Sequence, residues 1–104
     1  MKIEIDFVLK NDPYGKLHDL IKQRFMDVYK WTEMDNGRGL THDDEIFDNT
    51  KSALKYAREL FISVTQYVAA AEGISLFFDK AVFSVDNHIE IDNAPYNPIL
   101  NVRP

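Results

Sequence analysis

The stretch Thr41–Gly73, THDDEIFDNTKSALKYARELFISVTQYVAAAEG, decides the fold. Its apolar residues return every three or four positions, through Ile46, Phe47, Ala53, Leu54, Ala57, Leu60, Phe61, Val64, Tyr67, Val68 and Ala71. That is the spacing of one side of an α-helix. Phe47, Leu54, Phe61 and Val68 fall seven residues apart and are large, whereas Ala53, Ala57, Leu60, Val64 and Ala71 beside them are mostly small. So wide a stripe predicts a central helix, its small ribbon admitting a second helix and its large ribbon filling a sheet-facing core. Thr41 suits an N-cap, with Asp43, Asp44 and Glu45 in the electropositive first turn. Asp48-Asn49-Thr50 is a second admissible start, and Glu72-Gly73 closes the helix.

Upstream, residues 2–9 alternate, with Ile3, Ile5 and Phe7 on one side and Lys2, Glu4 and Asp6 on the other, which predicts a half-buried strand. Asp12 before Pro13 reads as an N-cap, and the helix it opens carries Leu17, Leu20, Ile21, Phe25, Val28 and Trp31 on one face to about Met34. Asn36-Gly37 is its expected left-handed stop. Downstream the period falls to two. Ile74, Leu76 and Phe78 form one set, and Ala81, Phe83, Val85, Ile89 and Ile91 another, with Asp79-Lys80 as a hairpin loop. A two-residue turn at Asp86-Asn87 would send Glu90 and Asp92 into the core, so parity predicts a longer loop or one continuous strand.

The expected fold is therefore α+β in two layers. Its order is β-α-α-β-β, with a further strand admissible, and two long antiparallel helices cover one face of a small, mostly antiparallel sheet. The first strand is expected beside a C-terminal strand. Residues 1–92 form one domain, and residues 93–104, with three of the four prolines, form an extended arm carrying Tyr96, Ile99, Leu100 and Val102.

A length of 104 residues suits one domain, and 45% hydrophobic with 28% charged residues is ordinary for a globular chain. The lack of cysteine removes disulfides and thiol nucleophiles and fits a reducing compartment, so a cytoplasmic location is expected. The start, MKIEIDFVLK, has no apolar run of the secretory kind, and no segment is apolar for long enough to predict a membrane span. The net charge of −5 is concentrated at residues 41–48 and 79–92. That disfavours direct nucleic-acid binding, which needs cations for the phosphates. It suits a basic protein partner.

No P-loop, GxGxxG or GxSxG is present. The run Thr41-His42-Asp43-Asp44-Glu45 lacks the ligand spacing of a metal site, and the residues around Asp35-Asn36-Gly37 fail the calcium-loop pattern because Gly37 and Gly39 stand where oxygen ligands belong. Neither a cofactor nor a metal is expected. Three function classes follow. The favoured one is a non-enzymatic interaction module, an inhibitor or adaptor that presents Asp43, Asp44, Glu90, Asp92, Glu4 and Asp6 to a basic protein. The second is an assembly subunit, self-associating as a homodimer through Tyr56, Leu60 and Tyr67 and through the arm. The third is a small metal-dependent hydrolase on the acidic sheet face, which requires Glu4 and Asp6 to neighbour Glu90 and Asp92.

Overall fold

A computed structural model describes residues 1–43, 47–86 and 88–93, the last group through its backbone. The chain runs β1 (Lys2–Leu9), α1 (Lys16–Tyr29), β2 (Thr32–Glu33), β3 (Leu40–Asp43), α2 (Thr50–Glu72), β4 (Phe78–Val85) and β5 (His88–Asn93). The five strands form one antiparallel sheet in the order β2-β3-β1-β4-β5. Both helices lie on one face, antiparallel, with Lys16 at the start of α1 paired to Glu72 at the end of α2 at 3.3 Å. The α+β class and the two-layer arrangement expected from the sequence are present.

The core lies where the large ribbon meets the sheet. Ile3, Ile5 and Phe7 of β1 are fully buried beside Ala81, Phe83 and Val85 of β4. Phe61 sits between the layers, with its ring 5.3 Å from Phe7, 5.3 Å from Phe78 and 5.6 Å from Phe83. Ala53, Ala57 and Val64 of the small ribbon are buried as well. Phe47 lies in the connection before α2, partly buried, and packs on Tyr56 at 5.0 Å.

Several boundaries differ from expectation, each for a tertiary reason. α1 starts after Gly15, whose φ of 69° is left-handed, rather than at Pro13. Asp12 caps it from further out, its carboxylate accepting from the backbone N–H groups of Leu17 and His18 at 3.1 and 3.0 Å. The helix stops at Lys30, in the left-handed region with φ 64°. Trp31 then leaves the helix and packs edge-on against Phe25 at 5.1 Å while stacking on His42 of β3 at 5.2 Å. The apolar period therefore ran past the true end, because Trp31 reaches the same core from the link between α1 and β2. Asn36-Gly37 is the turn of the β2–β3 hairpin rather than a helix stop. Asn36 Oδ1 accepts from the N–H groups of Arg38 and Gly39 at 2.8 and 3.1 Å.

Thr41 is not an N-cap: it lies in β3, opposite Glu4 of β1. α2 uses the second start, where Asn49 Oδ1 accepts from the Ser52 N–H at 2.8 Å. Asp79-Lys80 is no hairpin loop, since β4 runs straight through it. The change of parity between Phe78 and Ala81 is instead absorbed by a bulge. Val8 faces Lys80 and Leu9 faces Phe78, which leaves Asp79 without an opposite number.

The placement of β5 is the largest correction. β1 does lie beside a C-terminal strand, as expected, but that strand is β4; β1 sits between β3 and β4, and among the described residues β5 does not reach it. Val85 pairs with His88, the two-residue connection that parity had excluded. The exclusion assumed that Ile89 and Ile91 feed the helix-side core. β5 instead joins at the edge, where Ile89 registers with Ser84 and Ile91 with Val82. The residues of the expected arm from Ala94 onward, including Tyr96, Ile99, Leu100 and Val102, lie outside the described residues.

Candidate interaction surface

The predicted acidic surface is dispersed by this topology. Glu4 is half-buried on the open sheet face, 3.9 Å from Lys2 Nζ, and accepts from Ser84 Oγ at 3.5 Å. Asp6 Oδ2 accepts from Arg38 Nη2 at 3.1 Å and from Asn36 Nδ2 at 3.2 Å, which ties β1 to the β2–β3 turn. Asp43 stands exposed at the end of β3, 3.6 Å from the N-terminal ammonium. Asp44 lies outside the described residues. Glu90 registers with Phe83 and Asp92 with Ala81, whereas the rows through Glu4 and Asp6 meet β5 at Ile89 and Ile91. The four carboxylates therefore share no row. Among the described residues no three His, Asp or Glu side chains lie close enough to hold a metal ion.

The predicted self-association patch is also broken up. Leu60 is buried, and Tyr56 is partly buried against Phe47. Tyr67 alone is open, at 52% exposure. It faces α1, where the Arg24 guanidinium carbon lies 3.7 Å above the centre of its ring.

That contact sits in a groove between the helices. Leu20, Arg24, Asp27 and Val28 of α1 form one wall and Tyr67, Val68, Ala71 and Glu72 of α2 the other, enclosing about 210 Å³. Leu20, Arg24 and Val28 recur every fourth residue and so make one stripe along α1. Val28 is 47% exposed, an unusual fraction for an aliphatic residue at a helix seam. The small residue Ala71 keeps the floor open near the end of α2. Pockets that take a small molecule usually measure about 300–1,000 Å³. This one is smaller, of a size for one or two side chains. Asp27, Glu72 and Arg24 line it together, with Glu72 held by Lys16 at 3.3 Å. Sequence periodicity assigned Leu20 and Val28 to the core. It did not show that these residues line an open groove between the helices, where Val28 stays 47% exposed. Tyr67 was the one legible signal.

A second concavity of about 250 Å³ lies below the start of α1, lined by Phe7, Asp12, His18, Asp19, Lys22 and Arg38 among others. His18 stacks on Phe7, and its Nε2 lies 3.1 Å from the Phe7 carbonyl oxygen. A carbonyl only accepts, so Nε2 carries the proton. Burial pushes the His18 pKa below 6.5, against the opposing pull of the Phe7 hydrogen bond, and nearby Lys22 acts in the same direction as burial. The neighbouring charges are matched within the molecule. Lys22 Nζ donates to Glu33 Oε2 at 2.8 Å and to the Gly37 carbonyl at 2.7 Å, Arg38 is held by Asp6, and Asp12 caps α1. This concavity joins α1 to the hairpin and offers no uncommitted charged group for chemistry.

Among the described residues, no helix is long and apolar enough to cross a membrane. No protein-family model, no curated protein and no solved structure matches this chain, so the fold and the geometry of the helix seam carry the functional reading.

Proposed function

We propose that this protein is a non-enzymatic interaction module that receives an amphipathic helix of a partner protein in the groove between α1 and α2. The observation that carries the reading is the half-open seam itself, with Tyr67 and Arg24 stacked at its lip above the apolar Leu20, Val28, Val68 and Ala71. Tyr and Arg are the side chains that most often dominate binding energy at protein interfaces, and a helix in a groove is a recurring way to bury an apolar ridge. The partner is basic at its flanks, since Asp27 lines the groove and the whole chain carries −5. Charge of this kind steers encounter and sets orientation more than it adds affinity. The acidic residues of the sheet support this reading less than the seam does, because Glu4 and Asp6 already have partners within the fold.

Selection from a displayed peptide library tests the proposal, with the wild-type protein as target and the Val28→Asp, Tyr67→Ala double variant as counter-target. The expected winners carry apolar residues spaced three and four apart beside Lys or Arg and do not bind the variant. Winners that bind both proteins equally overturn it.

A further inference from the structure

Several cations of the helices and the hairpin are spent inside the fold. Lys16 pairs with Glu72 at 3.3 Å, Lys22 donates to Glu33 at 2.8 Å, and Arg38 donates to Asp6 at 3.1 Å. Arg24 differs. It is half-buried in the wall of the helix seam, where its guanidinium carbon lies 3.7 Å above the Tyr67 ring. Among the described residues no carboxylate or carbonyl accepts from its N–H groups. The two carboxylates that line the same groove are engaged elsewhere, Glu72 with Lys16 and Asp27 with Gln23 Nε2 at 2.8 Å.

Stacking on Tyr67 occupies a face of the guanidinium and leaves the donors in its plane unspent. A fork held over a ring has already given up freedom that a loose side chain loses on binding. It is therefore prepared for a planar acceptor that takes two N–H bonds at once. The carboxylate of Asp or Glu is such an acceptor. A phosphate monoester carries about two charges. With Asp27 and Glu72 lining the groove and −5 over the chain, the singly charged carboxylate is the better match.

We propose that Arg24 reads one Asp or Glu on the partner helix, set beside the apolar residues that fill the groove over Leu20, Val28 and Ala71. This rests on the helix seam as the binding surface and adds the chemical identity of one partner position. Arg24 and Asp27 stand about one turn apart on α1 with opposite charges. The partner's acid meets Arg24 and one of its flanking cations meets Asp27, which favours one direction of that helix over the reverse.

The displayed peptide library supplies the probe. Selection on wild type is expected to enrich Asp or Glu at one offset from the apolar anchors, and selection on Arg24→Gln to lose that enrichment. A winning peptide with capped ends, and its counterpart with the acid replaced by the matching amide, are then titrated against both proteins by calorimetry. The acidic peptide is expected to bind wild type roughly tenfold more tightly than its counterpart. On Arg24→Gln that ratio is expected to fall to about one, the signature of a direct contact in a double-mutant cycle. On Arg24→Lys it is expected to lie between the two, since an ammonium keeps the charge without the fork. A merely structural role for Arg24 would weaken both peptides alike and preserve the ratio. A preserved ratio, or winners with no acidic preference, would overturn the proposal and leave the seam standing. Winners that bind the Val28→Asp, Tyr67→Ala variant as well as wild type would overturn the seam reading and this proposal with it.

Discussion

The imidazole of His18 lies flat on the ring of Phe7, with 4.3 Å between centroids, while its Nε2 donates to the carbonyl of the same residue at 3.1 Å. One histidine on α1 is thus fixed to the central strand by both its face and its edge. The folded protein holds its pKa below 6.5, burial being the main cause. The unfolded chain then binds more protons near that value, so stability is complete above about pH 6.5 and declines as the pH falls through the folded pKa. Urea melts between pH 7.5 and 5 are expected to show this decline in the wild type and a flatter profile in His18→Gln. Identical pH profiles would mean that His18 contributes nothing to the linkage.

Phe61 meets Phe7, Phe78 and Phe83 at the junction of helix and sheet, and it is fully buried. Phe61→Ala is expected to cost about 3–5 kcal/mol, and Leu54→Ala about 2–5 kcal/mol, through lost contacts and the cavity left behind. Denaturant melts decide it, and losses under about 1 kcal/mol at both positions would place the large ribbon outside the core.

Gly39 is buried where β3 begins, against β1. A Cβ there would come within 2.8 Å of the Ile5 carbonyl oxygen and would also collide with Met34 Sδ. The methionine can swing aside, but the backbone of the central strand cannot. Gly39→Ala is therefore expected to destabilise by about 1–3 kcal/mol, as overpacking does. A thermal melt matching wild type would show that the two strands separate more easily than the register implies.

Asn49 and Thr41 were rival starts for α2, and only Asn49 caps it. Asn49→Ala is expected to cost about 0.5–2 kcal/mol and to fray the first turn. Thr41→Ala should leave helix content, read by circular dichroism, unchanged. Loss of helix signal in the Thr41 variant would restore the longer helix.

The period through Leu54, Phe61 and Val68 and the alternation of Ile3, Ile5 and Phe7 record burial directly, so both helices, the two-layer class and the sheet-facing core were legible. Connections were less so, because one residue type serves several geometries. Gly37 takes a left-handed φ whether it ends a helix or turns a hairpin, and the bulge at Asp79 copies the parity change of a tight loop. Trp31 kept the helical period because it is buried, although it is buried from outside the helix. The acidic surface was legible only as a count of charges. Counting carboxylates ignores their partners, and Arg38 and Asn36 reach Asp6 only once the β2–β3 hairpin has folded. The seam was illegible apart from Tyr67, since a groove between two helices leaves no mark in the pattern of either.

The most direct test of the helix seam is the affinity of a selected helical peptide for wild type, Tyr67→Ala and Glu59→Ala, measured by calorimetry. Glu59 lies on α2, exposed and outside the groove, and serves as the control for a surface change. With Tyr67 as an anchor, Tyr67→Ala is expected to weaken binding roughly tenfold or more, Glu59→Ala is expected to leave it within about twofold, and both variants should melt like wild type. Equal affinity for Tyr67→Ala and wild type would contradict the claim that the groove between α1 and α2 is where this protein meets its partner.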